Sequence, residues 1–401
     1  MKNREILTIA DDTTGALDVA GSFFSRGYSS SVALNSASSE INNSSIVFDL
    51  NNRYESDETH AKLFEGELRS IVRRYDANNI FLKVDSTLRG HIQSDVNSLR
   101  EVFRDRPIFI APAFPHSGRL CINGIYVVEG KPITESVFAN DPSFKMSSSD
   151  MKKNFPMGVH VGAKIIEEGP QAIIDTIFRS GKSVVTFDTH SQSDLESIAL
   201  AATFLHAVYV GSSGLARAFP LQPGGIFQTS KETFNSEIPT LFIVGSAHPK
   251  SRQQRNALLD LGLSEITLEK KDLNNEKRLL SISDQIQQQL HNGTTSLLSS
   301  PDVFINDRGF MKDIEYAVQI IADFNDPIHN LVLVGGETAR GVLVARMLYA
   351  LQICGEYEPG IPVSQPENEI LWHILTKASG FGSQYILNLI YKTIYGENNH
   401  D

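Results

Sequence analysis

Short apolar runs bounded by turn residues alternate along this chain with longer stretches in which apolar residues return every three or four positions, the patterns of strands and amphipathic helices. In the first half, Ile6 to Ala10, Ser31 to Leu34, Ile46 to Asp49, Asn79 to Val84 and Ile108 to Ala111 read as strands, with helices at Ala16 to Ser25, Glu58 to Arg74 and Ile92 to Phe103. Within Glu58 to Arg74, the side bearing Leu63, Phe64, Leu68, Ile71 and Val72 is predicted to face the core. Cys121 to Pro132 reads as a hairpin with Gly124 and Gly130, and the irregular stretch after it, through Asp141-Pro142, has the character of a binding loop or lid. From Val159 the alternation resumes, with strands at Ser183 to Phe187 and Val208 to Val210 and helices at Gln171 to Ser180 and Ser193 to Leu205.

Pro220, Pro223, Gly224 and Gly225 then break the pattern. Beyond them, Thr240 to Val244, Ser296 to Leu298 and Leu331 to Val334 read as strands. Helices are predicted from Lys250 to Leu261, around Ile314 to Phe324, from Thr338 to Leu348 and from Tyr385 to Tyr395. The chain reads as α/β throughout, and 401 residues exceed one ordinary core. Two α/β domains are expected, over residues 1–222 and 239–401, with a linker at 223–238.

Composition narrows function more than fold. The net charge of -11, without a run of Lys or Arg, disfavours nucleic acid and anionic membrane as partners, while a local cationic pocket for a small anion stays compatible with it. Cys121 and Cys354 are the two cysteines, which excludes a disulfide framework and a thiolate-built metal site. The 11 histidines are dispersed and H-E-x-x-H is absent, so no metal-ligating set is predicted. Met1 to Glu5 leads straight into a strand pattern, and Ile198 to Val210, interrupted by Thr203 and His206, is too short to span a bilayer; a cytoplasmic location is expected.

The polar residues of interest stand where predicted strands end, the rim on which open α/β sheets hold ligands. Ile6 to Ala10 runs into Asp11-Asp12-Thr13-Thr14-Gly15, two acids where a helix cap needs one. Asn79 to Val84 runs into Lys83-Val84-Asp85-Ser86-Thr87-Leu88-Arg89-Gly90-His91, which offers a cation, a base or metal-ligating carboxylate, and a guanidinium clamp; the plain reading is a solvated loop with Ser86 or Thr87 capping the next helix. After Ile108 to Ala111, a loop stiffened by Pro112 and Pro115 carries His116 and Arg119. In the second half, Gly245-Ser246, Gly335-Gly336-Glu337-Thr338 and Ser379-Gly380-Phe381-Gly382 are glycine turns leading into helices, whose N–H groups and dipoles suit a phosphate. Neither G-x-G-x-x-G nor G-x-x-x-x-G-K-[ST] occurs, and an ordinary tight turn explains any one of these alone. The split fits a phosphoryl transferase, whose catalysis is positioning plus stabilisation of phosphate charge; a dinucleotide enzyme or a sugar-binding protein shares the outline.

Taken in order, these stretches resemble the motifs of the four-carbon acid sugar kinase family: Ala10 to Ala16 with Asp18, Lys83 to Gly90, Ala111 to Pro115 with Gly118-Arg119, Gly245-Ser246, Gly335 to Ala339, Pro359 to Pro362, and Lys377 to Gly382. The resemblance implies an N-terminal domain that binds a sugar acid, a C-terminal domain that binds ATP, and γ-phosphoryl transfer to the terminal hydroxyl of a threonate, erythronate or 3-oxo-tetronate type acid. By the same resemblance Asp12, Asp85 and Lys83 are catalytic, with Asp12 favoured over Asp85 as base, and Asp11, Arg89 and Arg119 bind the acid. Ser246, Gly335, Gly336, Glu337, Thr338, Ser379 and Gly380 bind the nucleotide, and ATP and Mg2+ are the implied cofactors. A homo-oligomer is compatible with this reading. Three departures stand out: Thr13 where Leu is common, Ala247-His248 where a Cys-Ser pair is common, and Ser379 where a further glycine is common. The last two touch the implied nucleotide site and motivate an alternative, a non-catalytic sugar-acid or nucleotide-binding protein derived from such a kinase.

Overall fold

The computed structural model describes residues 4–35, 43–140, 144, 148–225, 234–246, 248–300, 308–322, 329–367 and 372–396. The chain divides into two units, residues 1–227 and 228–401. Part of the expected linker (226–233), Asp141-Pro142, Ala247 and Phe324 lie outside the described residues. Among the described residues no helix is long and apolar enough to cross a membrane.

The first unit runs β1 (Arg4–Ala10), α1 (Thr13–Phe24), β2 (Ser30–Ala33), β3 (Ser45–Asp49), α2 (Asp57–Arg74), β4 (Ala77–Lys83), α3 (Ile92–Val102), β5 (Ile108–Ala111), β6 (Arg119–Ile122), β7 (Ile125–Val128), β8 (Lys131–Pro132), α4 (Met151–Asn154), β9 (Val159–Val161), α5 (Ala163–Glu167), α6 (Pro170–Ser180), β10 (Val184–Phe187), α7 (Gln192–Phe204), β11 (Val208–Gly211) and α8 (Ser213–Arg217). Its sheet has the order β2-β3-β1-β4-β11-β5-β10-β9, every pair parallel. The strands are apolar along most of their length because helices cover both faces of a parallel sheet. The chain leaves β1 for β2 and β3 on one side, then crosses through α2 to β4 on the other. The C-terminal ends of β3, β1 and β4 therefore surround a topological switch point, where such sheets bind ligands.

Helix α2 buries His60, Phe64, Leu68 and Ile71, spaced as one helical stripe. Leu63, predicted to share it, lies about 100° around the helix from Phe64 and is 48% exposed. Helix α3 starts at Ile92 with His91 at its N-cap position and no side-chain cap, so neither Ser86 nor Thr87 caps it. The predicted hairpin is a three-stranded antiparallel meander of β6, β7 and β8. Its two tight turns, Asn123-Gly124 and Glu129-Gly130, all have positive φ, which suits the right-handed twist of the flanking strands.

The second unit runs β12 (Thr240–Val244), α9 (Pro249–Leu259), β13 (Ser264–Thr267), α10 (Glu276–His291), β14 (Ser296–Ser299), α11 (Arg308–Ala322), β15 (Asn330–Val334), α12 (Gly336–Ala345), β16 (Ala350–Glu358), β17 (Ile361–Pro366), β18 (Ile374–Lys377) and α13 (Ile386–Tyr395). Its order is β13-β14-β12-β15-β18-β17-β16, parallel from β13 to β18 and antiparallel thereafter. Here too the chain leaves β12 on one side and returns to β15 on the other, a second switch point. The core joins Phe242, Val244, Val332 and Val334 to Ile386, Leu387 and Ile390 of α13. Helix α12 begins at Gly336 rather than Thr338: Gly335 alone, at φ 111°, absorbs the turn that the glycine pair suggested.

Candidate active site

At the switch point of the first unit, three carboxylates and three cations interlock. Asp12 is the N-cap of α1; its Oδ1 accepts from Gly15 N at 3.1 Å and its Oδ2 from Thr14 Oγ1 at 2.8 Å. Arg53, in the loop after β3, lays its guanidinium fork on Asp11, with Nε to Oδ2 at 2.8 Å and Nη2 to Oδ1 at 2.6 Å, and Nη2 also reaches Asp12 Oδ1 at 2.7 Å. Lys83, the last residue of β4, donates to Val84 O at 3.1 Å; a Cβ on Gly15 would sit 3.2 Å from its Nζ and overlap Asp12 Oδ1, so glycine lets the ammonium lie over the first turn of α1. Asp85 Oδ2 accepts from Arg89 Nε at 2.6 Å and from Thr87 Oγ1. Gly90, at φ 98°, closes the loop against Asp11, whose Oδ2 would stand 2.8 Å from any Cβ there.

The charges set the protonation states. Burial opposes ionisation of Asp12, but Arg53, then Lys83 and the Thr14 hydrogen bond hold its carboxyl below the usual range. Burial likewise opposes Asp85, and Arg89 followed by Arg53 drive it far below. Arg53 is itself disfavoured by burial, yet Asp11 and Asp12 hold it well above an ordinary guanidinium. Asp12 and Asp85 are thus ionised carboxylates, able to accept hydrogen bonds from hydroxyl groups.

The structure gathers Asp11, Asp12, Lys83, Asp85 and Arg89 into this network. Arg119 sits at the start of β6, where its Nη1 donates to Ser117 O at 3.0 Å. The loops after β4 and β5 are tied together by buried Tyr126, whose hydroxyl shares its hydrogen between Ser86 O at 2.8 Å and Pro112 O at 3.0 Å. Asp18 accepts from Ser213 Oγ at 2.6 Å, tying α1 to the first residue of α8. Sequence reasoning missed Arg53; its one signal is that Asn51-Asn52-Arg53 follows a strand ending on the same rim. Behind Arg53 lies a second missed element: His60 Nε2 is 2.6 Å from Asp95 Oδ1 and His60 Nδ1 is 3.1 Å from Asn52 O, joining the Arg53 loop to α3. Farther along the same rim, after β10, Asp188 accepts from Gly124 N, Ala163 N and His160 Nε2 and pins the meander to the sheet. Burial, then Asp188, push the neighbouring Cys121 thiol far above its usual range, which makes it a poor nucleophile.

The second unit is built differently. Val244 pairs with Val334 and Val334 with Lys377, so the turns after β12, β15 and β18 stand side by side. A Cβ on Gly245 would overlap Thr338 Oγ1, and one on Gly335 would lie 3.4 Å from Ser246 Cβ; the glycines let these turns touch. The N-cap position of α12 is Gly335 with no side-chain cap, leaving the first turn, Gly336-Glu337-Thr338, with amide N–H groups suited to an anion. His248 caps α9, its Nδ1 accepting from Lys250 N at 3.2 Å, and Ser246 Oγ accepts from His248 N at 3.2 Å. The turn at Ser379 and Gly380 is fixed through its carbonyls: Ser251 Oγ donates to Ser379 O at 2.8 Å, Lys250 Nζ to Gly380 O at 3.1 Å, and Gln254 Nε2 to Phe381 O at 3.0 Å. Lys250, Ser251 and Gln254 were also unforeseen.

Known proteins match both units. Residues 6–219 match the model of a sugar-binding N-terminal domain and residues 241–387 that of a nucleotide-binding C-terminal domain. The chain is 24% identical to the D-threonate kinase of Salmonella typhimurium, covering 96% of each chain. It is 28% identical to the D-threonate kinase of Cupriavidus necator, over 95% of this chain and 96% of that one. The 3-oxo-tetronate kinase of Pseudomonas savastanoi is 24% identical, over 94% of both. Among solved structures, one described as a tRNA synthase from Salmonella typhimurium LT2 superposes with a TM-score of 0.82 at 18% identity, over 97% of this chain and 99% of that one, a likeness of fold. A Bordetella bronchiseptica protein, a domain-swapped dimer with bound citrate, has a TM-score of 0.50 at 23% identity over 98% of both chains. With one domain model spanning more than half of the sequence and the other most of the rest, the chain belongs to the four-carbon acid sugar kinase family, phosphotransferases with an alcohol group as acceptor.

Proposed function

We propose that this kinase transfers the γ-phosphoryl group of ATP to the terminal hydroxyl of a threonate, erythronate or 3-oxo-tetronate type acid. The observation that carries the reading is the charge network at the first switch point, where fixed guanidinium and ammonium groups stand beside ionised carboxylates. Arg89, with more of its side chain accessible than its partner Asp85 (27% against 14%), pairs with the substrate carboxylate. Asp11, held by Arg53, and Arg119 accept and donate to the remaining polar groups. Asp12 takes the hydroxyl proton through Oδ2, an oxygen with a second acceptor site beyond Thr14, and Lys83 steadies the charge that develops. Asp85 keeps Arg89 in place.

On the nucleotide side, Ser246, the first turn of α12 from Gly335 to Thr338, and the turn at Ser379 and Gly380 receive the phosphates. Magnesium carried by ATP needs one or two protein carboxylates at most, and Glu337 is the carboxylate on the first turn of α12; the ion would neutralise phosphate charge there. Ser379 contributes its backbone carbonyl to the anchored turn, which is compatible with a working nucleotide site. A cytoplasmic location fits the use of ATP, and a homo-oligomer fits the assembly of the Bordetella relative.

The test is ADP release with magnesium over a panel of four-carbon acids. Turnover on at least one epimer is expected, and Arg89→Ala raises the KM of the acid about tenfold or more with the KM of ATP nearly unchanged. Equal effects on both substrates refute the Arg89 assignment; folded protein that turns over no four-carbon acid refutes the substrate class. Calorimetry showing no binding of a magnesium-ATP analogue would favour the non-catalytic alternative.

A further inference from the structure

Lys377 ends β18 at 1% exposure, and among the described residues no carboxylate pairs with it. A buried ammonium without a counter-charge is costly unless dipoles replace its hydration. Here backbone carbonyls do so: its Nζ donates to Ala378 O at 2.9 Å, Ser379 O at 3.3 Å and Phe381 O at 3.0 Å. Lys250 takes the carbonyl between them, Gly380 O, at 3.1 Å. Four consecutive carbonyls are thus drawn toward two ammonium groups. In a trans peptide the N–H points opposite to the C=O, so the amides of Ser379, Gly380 and Gly382 turn the other way; the Phe381 amide closes the turn on Ala378 O. Lys377 O accepts from Gly335 N at 3.0 Å, which fastens this turn to the start of α12.

Carbonyl oxygens converging at about 3 Å on one positive centre are how proteins hold a monovalent metal ion. We infer that the Lys377 ammonium is a built-in substitute for such an ion: it gathers the carbonyls of Ala378, Ser379 and Phe381, while Lys250 holds that of Gly380, so that the turn presents its amides to the nucleotide phosphates, and it frees the kinase from any need for potassium or sodium. Lys377 is a positioning residue and touches no reacting atom. The inference rests on the nucleotide-binding reading of the second unit.

The experiment compares wild type, Lys377→Ala and Lys377→Met in buffers whose only monovalent cation is tetramethylammonium, then with potassium, ammonium or methylammonium added. Wild type is expected to keep the same KM for ATP, within about twofold, in every buffer. Lys377→Ala raises the KM for ATP about tenfold or more, the loss expected for charge-assisted hydrogen bonds, and changes the KM for the acid little. Added ammonium or methylammonium enters the vacated space and restores much of the ATP affinity, whereas Lys377→Met fills that space and is not rescued. A wild type that requires potassium overturns the inference, and this arm needs no variant to fold. So does a Lys377→Ala protein that no cation rescues, or one whose two KM values rise together. Wild type that binds no magnesium-ATP analogue by calorimetry overturns the nucleotide reading instead.

Discussion

Replacing Arg53 with methionine removes the cation that, among the described residues, pairs with both Asp11 and Asp12. The three hydrogen bonds, at 2.6, 2.7 and 2.8 Å, join side chains that retain only 6%, 10% and 17% of their surface. Breaking a buried pair by deleting one partner costs about 3–5 kcal/mol, because the other charge stays buried. Two carboxylates would be left side by side, with Lys83 still offsetting Asp12. The effect has a pH signature. In wild type Asp12 is held below its unfolded value, so its contribution to stability is full above about pH 4 and is lost as pH falls through the lower folded value. In the variant, burial acts without Arg53, the folded pKa rises, and the folded state keeps a proton that the unfolded state releases. Stability of the variant therefore falls as pH rises through the carboxylate range, and its deficit is greater near about pH 8 than near about pH 4.

Urea unfolding followed by far-ultraviolet circular dichroism measures this cost, while fluorescence of Trp372, the single tryptophan, reports the second unit. The expected deficit at about pH 8 is about 3–5 kcal/mol in the first unit, and Arg53→Lys, which keeps the charge but loses the bidentate fork, falls between. A cost below about 1 kcal/mol at that pH, or one that does not change with pH, refutes the claim that Arg53 neutralises these carboxylates.

Three further outcomes follow from the geometry. Gly245→Ala puts a Cβ into Thr338 Oγ1, so ATP affinity should drop in titration calorimetry and the second unit should lose about 1–3 kcal/mol of stability; unchanged affinity contradicts the close packing of those turns. Burial works against a charged His60, but Asp95 raises its pKa, and burial raises Asp95; both shifts mean that the folded state grips the shared proton more tightly. Its stabilisation is complete below about pH 6.5 and declines as pH rises through the folded His60 value, so thermal melts should show this alkaline loss in wild type and not in His60→Ala. Burial and then Lys250 pull Lys377 down to about 7; above that pH the folded state has released a proton that the unfolded chain keeps, so stability rises with pH while ATP affinity weakens, and Lys377→Arg should flatten both profiles.

What the sequence made visible was local. Asp11-Asp12 and Lys83 to Arg89 follow apolar runs directly, and a polar cluster at the end of a buried strand is recognisable without knowing its neighbours. The α/β alternation was legible for the same reason. Arg53 was hidden because its partners lie 42 and 41 residues earlier, and an arginine after two asparagines looks like a solvated loop until β3 is placed beside β1. Lys377 opens one of the recognised motifs, but its role was hidden, since only tertiary burial and the course of the next four residues reveal that its head faces carbonyls. The hairpin of β16 and β17 escaped in part because β17 is buried on successive residues and so lacks the two-residue alternation that marks a half-exposed strand, and its pairing with β16 carries register shifts between Ile353 and Gly355 and between Glu356 and Glu358.

The two units share one topological device, and on the proposed reading each uses it for a different kind of anion. The order β2-β3-β1-β4 in the first recurs as β13-β14-β12-β15 in the second, so corresponding rim positions can be compared. After β1 stand Asp11 and Asp12, and after β12 stand Gly245 and Ser246. At the end of β4 stand Lys83 and Asp85, and after β15 stand Gly335 and Gly336. After β3 comes Arg53, and after β14 comes Ser300, whose hydroxyl donates to Gly245 O at 2.9 Å. Charged side chains on the rim of the first unit pair with one another, and on the proposed reading they distinguish the carboxylate of the acid from its hydroxyls. In the second unit Gly245 and Gly335 bring the turns after β12 and β15 into contact, and on the proposed reading their amides recognise phosphate by backbone geometry and not by ion pairing. Putting a charge into the second rim, as in Gly335→Asp, should therefore abolish ATP binding through both strain at φ 111° and repulsion, where Gly335→Asn tests the strain alone. Equal loss in the two variants would mean that the backbone conformation, and not the electrostatics, makes the second rim a phosphate site.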